Sequence, residues 1–307
     1  MSVSLPTAEI TVAAGDPDDR IDRYAAARFG LQSRAKARKL VSRGFIRLNG
    51  EQVETSRRVR PGDTLTLAAP PEKPPPVFPM SMEVAWLDEH IAVVVKPPGL
   101  PVSGNKHRTV EHALPHNLPP SEHPGALTVP RPVHRLDART AGLLVVARTG
   151  AGQVGMGQLF ERREVHKRYR AILVGRLEGE GEVDSPIEGR AALSRYRAVE
   201  HTRSLRGGWL TTVDLWPVTG RTHQLRIHCK ELGCPVLGDD LYGGEHVLRG
   251  KGLYLRSVAL RFNHPVTGEP IAVELPEAEK YASLRRRERA RWERLRASEA
   301  QESSPTQ

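Results

Sequence analysis

The chain of 307 residues is 38% apolar, which is enough for one sizeable core and a small accessory domain, and its 27 glycines and 25 prolines fall short of a low-complexity composition. No stretch is long and apolar enough to span a membrane, the start MSVSLPTAEITV lacks the basic-then-apolar layout of a secretion signal, and the only two cysteines, Cys229 and Cys234, outline no disulfide framework, so a cytoplasmic protein is expected. The formal net charge of +10 suggests a polyanionic partner, and it is concentrated at the ends: residues 20–67 hold 12 Lys/Arg against four Asp/Glu, and residues 280–307 hold eight against four.

Residues 18–68 have the pattern of a small module. Asp18 or Asp19 is placed to cap a helix carrying Ile21, Tyr24, Ala25 and Phe29 at helical spacing, and Ser33 to cap a second helix over 34–43 that Gly44 ends. The second helix gathers Arg34, Lys36, Arg38 and Lys39, a candidate phosphate-binding surface. Phe45 to Leu48 then meets Asn49-Gly50, a hairpin-turn signal, and Pro61-Gly62-Asp63 precedes a strand at 65–67. Residues 69–81 are Pro-rich and predict a stiff linker.

The stretch from 82 to 276 predicts a larger domain. Strands are expected at 91–95, 143–147, 165–174, 210–216, near 253–262 and at 271–275, with a half-buried alternation at 210–216. Residues 101–130 read as a long loop with one short helix, and Thr222 is placed to cap a helix running to Leu232. Many strands and few helices favour an α+β protein with a mixed, mainly antiparallel sheet in the larger domain. Residues 280–307 begin as an Arg-rich helix and end in a disordered tail.

Three clusters carry possible chemistry. In His134-Arg135-Leu136-Asp137 a carboxylate sits on a loop at the mouth of the apolar run Leu143 to Ala147, two positions after an arginine. A capping or surface aspartate is the plainer alternative for Asp137. In Lys167-Arg168-Tyr169, Lys167 and Tyr169 share one face of a strand, where a tyrosine packing its ring on the core is the ordinary role. In Gly220 to His228, Arg221 is placed to hold a carboxylate in its fork, and Arg226 competes for that role. His223, His228, Cys229, Cys234 and His246 match no zinc spacing, so no metal is expected. The absence of a glycine-rich phosphate loop, a dinucleotide fingerprint or a serine elbow leaves no nucleotide cofactor implied.

Taken together, VVVKPPGLPV at 93–102, VHRLDARTAGLLVVART at 133–149, KRYRAILVG at 167–175 and the block from Gly220 to Gly244 resemble the RluA-type RNA pseudouridine synthases, and residues 18–68 resemble the S4-type RNA-binding domain. The resemblance implies a cofactor-free isomerase that converts uridine in structured RNA, ribosomal more than transfer RNA, to pseudouridine. It implies Asp137 as catalytic aspartate, Tyr169 stacked under the base with a general-base role, Arg221 paired with Asp137, Leu225 lining the pocket and Arg135 filling the gap left by a flipped nucleotide. His134 and Lys167 are expected to contact RNA, and a monomer is expected. The rivals are a non-catalytic RNA-binding or ribosome-assembly protein and a hydrolase or lyase acting on a nucleoside C–N bond.

Overall fold

The computed structural model describes residues 8–31, 33–68, 77–205, 207–244 and 252–302 and divides into two compact units, 1–74 and 75–307. Most of the Pro-rich linker (69–76), His246 and the last residues of the tail (303–307) lie outside the described residues.

In the first unit, β1 (Ala8–Thr11), β3 (Thr64–Leu67) and β2 (Ile46–Leu48) form an antiparallel sheet in the order β1-β3-β2. The strand β1 lies ahead of residue 18 and joins this sheet through β3. Helices α1 (Ile21–Arg28) and α2 (Arg34–Ser42) bury Ile21, Ala25, Ala37 and Val41 against Ile46 and Leu65. Ser33 caps α2 as expected, accepting from the Lys36 amide, and Gly44 follows with φ 74°. Neither Asp18 nor Asp19 caps α1. Its N-cap is Arg20, with no side-chain cap, while Asp19 accepts from the adjacent Arg20 amide and Asp18 pairs with Arg58. Asn49 and Gly50 form the expected turn with positive φ at both positions, closed by one antiparallel bridge between Leu48 and Glu51, while the strand pairing of β2 is with β3.

The second unit is built on a mixed sheet of ten strands among the described residues. Its strands are β4 (Val84–Leu87), β5 (Ile91–Lys96), β6 (Ala126–Pro132), β7 (Ala141–Thr149), β8 (His166–Val174), β9 (Glu180–Asp184), β10 (Leu193–Ser204), β11 (Gly208–Pro217), β12 (Leu255–Asn263) and β13 (Pro270–Glu274). The order is β4-β5-β7-β12-β8-β11-β10-β9, with β6 on β7 and β13 on β12. All pairs are antiparallel except β7 with β12. Helices α3 (Val110–Asn117) and α5 (Gln224–Glu231) belong to the core on one face, which gathers Val94, Leu144, Val146, Tyr169 and Val213. Helix α4 (Gly150–Glu161) belongs to a second core with Val93, Leu143, Val145 and Leu260. Successive residues of β7 therefore point into different cores, which is why its sequence is an unbroken apolar run.

Several sequence expectations change here. The region 101–130 contains α3 but also feeds β6, whose Pro and Arg residues hide its strand character. Strand β11 is buried on both faces, because its polar residues are internally satisfied: Thr211 donates to the Gly175 carbonyl, and Asp214 accepts from Arg170 at 2.6 and 3.0 Å. The N-cap of α5 is His223, in the left-handed region with φ 57°, and Thr222 does not cap it. Gln224 instead ties down the turn before the helix, its side-chain oxygen accepting from the Arg221 amide and the Thr219 hydroxyl. The Arg-rich tail forms α6 (Glu279–Glu302), docked through Tyr281 and Leu284 against Ile172, Val174 and Leu210.

Gly142 shows how tightly β7 meets β12. Its φ is 111°, and an added Cβ would lie 2.0 Å from the Ser257 carbonyl oxygen. Gly142→Ala is expected to destabilise the second unit by about 3 kcal/mol or more, read as a lower denaturant midpoint.

Candidate active site

Asp137 sits in the connection between β6 and β7, and the backbone around it is tied on several sides. Its carbonyl accepts from the Thr140 amide at 3.0 Å, closing a tight turn. The neighbouring Ala138 carbonyl accepts from the Gly99 amide at 2.7 Å and from Lys96 Nζ at 2.9 Å. Lys96 ends β5 fully buried, and its ammonium also donates to the Pro97 carbonyl at 2.9 Å. Burial lowers the Lys96 pKa to about 8, opposed by the negative charge of Asp137. Arg139 donates to the Gly238 carbonyl at 3.3 Å and pairs with Asp240, while Leu136 plugs into the core. The loop is thus tied to the end of β5 on one side and to residues 238–240 on the other.

The Asp137 carboxylate, 20% exposed, faces a cleft of about 490 Å³. Across it, α5 presents Arg226, whose Nη1 lies 3.6 Å from Asp137, and His223, whose Nε2 lies 3.9 Å away. Arg226 is held from behind: its Nε and Nη2 donate to the two oxygens of Asp239, both at 2.7 Å. Asp239 is fully buried and also accepts from the Leu241 and Tyr242 amides. Burial pushes the Asp239 carboxyl up, but Arg226 and the two amides outweigh it and leave the pKa below its ordinary value. Tyr242 completes the support, with its ring 5.1 Å from the Arg226 guanidinium and its hydroxyl 3.0 Å from His223 Nδ1. Tyr169 and Leu225, both buried, line the same cleft. Burial first, and the charge of Asp137 second, push the Tyr169 phenol above its ordinary pKa, so it rests neutral. Thr140 Oγ1 is buried at the cleft wall without a hydrogen-bond partner among the described residues.

Asp137, Tyr169, Leu225, Arg135 and Lys167 border one cleft, with Arg135 exposed at its rim. Arg221 lines the cleft but does not pair with Asp137: its Nε donates to the Ala191 carbonyl at 3.1 Å, and Arg226 takes the place expected for it. His134 is not presented as a free RNA contact. Its ring stacks on Phe160 at 4.6 Å, and its Nε2 accepts from the Val145 amide at 2.9 Å, which fixes the neutral ring. Burial, with a contribution from Lys167, lowers its pKa to about 3. Sequence reasoning missed the supporting roles of Lys96, His223 and Asp239. The one available signal was the second arginine, Arg226, near two aspartates in Gly238-Asp239-Asp240. In the first unit, Lys36, Arg38 and Lys39 are exposed, while Arg34 spends its charge on the buried Asp22 at 3.3 Å. Among the described residues no cluster of His, Cys, Asp or Glu could hold a metal ion, and both cysteines are buried free thiols.

The larger unit thus presents an Asp–Arg pair in a cleft bordered by Arg135, Arg163, Lys167 and Arg221, and a smaller unit of three strands and two helices precedes it. Residues 90–231 match the family model described as RNA pseudouridylate synthase, and residues 19–65 match the S4 domain. An "Uncharacterized RNA pseudouridine synthase" of Aquifex aeolicus is 31% identical, covering 87% of this chain and 93% of the relative. A "Ribosomal large subunit pseudouridine synthase D" of Xanthomonas campestris pv. campestris is 33% identical, covering 86% and 87%. Among solved structures, Human RNA Pseudouridylate Synthase Domain Containing 1 superposes with a TM-score of 0.54 at 28% identity, covering 64% of this chain and 84% of that one. The chain belongs to the RluA-type RNA pseudouridine synthases, a family of isomerases.

Two stability effects are expected. Arg226→Ala leaves Asp239 buried without its partner and should cost about 3–5 kcal/mol, read as a drop in the denaturant midpoint of the second unit. His134 has a folded pKa below its unfolded value of about 6.5. Between these values the unfolded chain binds the proton that the folded chain refuses, so this contribution is complete above about pH 6.5 and fades as the pH falls towards 3. Unfolding midpoints between about pH 6.5 and 4.5 should fall less steeply for His134→Asn than for the unaltered protein.

Proposed function

We propose that Asp137 carries out the isomerisation of a uridine in ribosomal RNA, with Arg226 rather than Arg221 as its charged partner. The observation that carries this reading is the Asp137 carboxylate facing the cleft 3.6 Å from a guanidinium whose other nitrogens are already bound to Asp239. A fixed charge in a partly desolvated cleft favours the carboxylate and holds it in one orientation. The reaction breaks the bond from N1 of uracil to C1′, turns the ring and joins C5 to C1′. The C5 proton is lost and N1 gains one, so the product has the mass of the substrate and no redox cofactor is needed. Asp137 acts at C1′, Tyr169 and Leu225 pack against the detached ring, and the unpartnered Thr140 hydroxyl is offered to the nucleotide.

A uridine inside a helix cannot reach Asp137 unless it leaves the stack, at a cost of a few kcal/mol. Arg135, exposed at the rim, fills the vacated space and offsets part of that cost. The neutral resting state of Tyr169 suits a stacking platform, and it makes the phenol a base only after its own proton has been taken up elsewhere. The ribosomal substrate is supported by the relatives named as large-subunit synthases and by the S4 domain. That substrate also argues for a cytoplasmic enzyme, in keeping with the absence of a membrane-spanning helix among the described residues.

Asp137→Asn is expected to abolish pseudouridine formation on ribosomal RNA lacking the modification while leaving RNA binding within a few-fold. Pseudouridine made by this variant would exclude the mechanism, and release of free uracil by the unaltered protein would indicate a hydrolase instead. Removing residues 1–74 should weaken RNA binding and flatten its dependence on salt, because Lys36, Arg38 and Lys39 each displace counterions from phosphates. A salt slope unchanged by the truncation would deny the first unit that role.

A further inference from the structure

The cleft does not end at Asp137. Arg163, Lys167, Pro217 and Val218 line both the cleft and a second hollow of about 400 Å³ that also reaches His166 and Trp216. A third hollow of about 440 Å³ shares His166, Lys167 and Trp216 and extends to Arg261. The three share lining residues and together pass from the cleft over the start of β8, the end of β11 and the later half of β12. Part of the charge of this groove is unspent. Among the described residues Arg163, Lys167 and Arg261, which line it, have no carboxylate partner, while Arg168 is paired with Asp214 and Glu274 and Arg195 with Glu182; Glu161 lies at the cleft end. Trp216 is half-buried at the centre, and the guanidinium of the exposed Arg197 lies 5.5 Å from its ring centroid. Half-buried indole and unpaired arginines side by side are what a single-stranded nucleic acid needs, a flat surface for a base and cations for the flanking phosphates.

We propose that this groove is a subsite for the substrate RNA beyond the target nucleotide: as the strand leaves the Asp137 cleft, an unpaired base stacks on Trp216 and the adjoining phosphates lie along Arg163, Lys167 and Arg261. The proposal rests on the reading that RNA enters the Asp137 cleft, and it adds a contact that helps select which uridine is presented. Trp216 touches no reacting atom in this arrangement, so its loss should act on binding rather than on chemistry.

The test compares Trp216→Leu and Trp216→Phe in the full chain. Binding of a fluorescein-labelled oligouridylate and pseudouridine formation on a large-subunit ribosomal RNA transcript are measured in parallel. Trp216→Leu should weaken oligouridylate binding by about 5- to 100-fold, from the usual strength of base–aromatic stacking. It should raise KM on the transcript with kcat unchanged, and Trp216→Phe should restore most of both. Arg261→Gln should weaken binding and reduce its salt dependence. Oligouridylate binding that is absent, unchanged in Trp216→Leu, or equally lost in the Leu and Phe variants overturns the subsite. If the unaltered protein forms no pseudouridine yet binds oligouridylate through Trp216, the subsite stands and the isomerase reading of the Asp137 cleft falls; pseudouridine formation indifferent to Trp216 has the opposite meaning.

Discussion

The buried pair between Arg226 and Asp239 is the constraint on which the site depends. Both side chains are almost fully withdrawn from water, a state tolerated only when the charges are matched and their hydrogen-bonding capacity is used. Asp239 meets that condition with two bonds from the Arg226 fork and two from backbone amides. The fork consumes Nε and Nη2, and the remaining nitrogen can only face the cleft. Its proximity to Asp137 therefore follows from the geometry of a bond made on the other side of the guanidinium. A lysine, with a single point charge, could not serve both carboxylates in this way.

The carboxylate is positioned as firmly as its partner. Gly142 allows β7 to meet β12 at a distance no side chain would permit, and Lys96 and Gly99 grip the carbonyl next to Asp137. Lys96 is costly to bury, as its lowered pKa reflects, and it is retained at the point where it holds the loop. Residues near 96, 137, 226 and 239 thus meet through the sheet order β5-β7-β12-β8-β11, although they are scattered along the chain. The first unit is simpler: it buries a small core beneath two helices and leaves Lys36, Arg38 and Lys39 exposed on α2.

Much of this was legible in the sequence. The unbroken apolar run in β7 declared a strand buried on both faces, Ser33 and Gly44 marked the ends of α2, and four ordered blocks pointed to the family and to Asp137. Other features were hidden for physical reasons. The alternation in β11 suggested a half-exposed strand because Thr211 and Asp214 are polar, whereas both are buried with partners supplied by distant segments. Arg221 and Arg226 are equally good carboxylate partners on paper. Only the left-handed turn at His223 and the position of Asp239 decide which one reaches Asp137. His134 stands beside the key loop in sequence, yet its ring nitrogen is committed to the Val145 amide, a bond that no local pattern reveals.

On the proposed reading, in which Arg226 partners Asp137, Asp239 acts on the chemistry only through Arg226, which it holds in place. The most direct measurement is single-turnover pseudouridine formation by Asp239→Asn on a large-subunit ribosomal RNA transcript, with the fold checked by circular dichroism and RNA affinity measured alongside. The amide keeps the shape of the carboxylate but loses the charge and half of its acceptor capacity, so Arg226 is no longer locked in its fork. The account predicts a rate at saturating RNA that falls by about 10²-fold or more, the scale of a lost preorganised charge contact, while affinity stays within a few-fold. A folded Asp239→Asn enzyme that isomerises uridine at the original rate would contradict it.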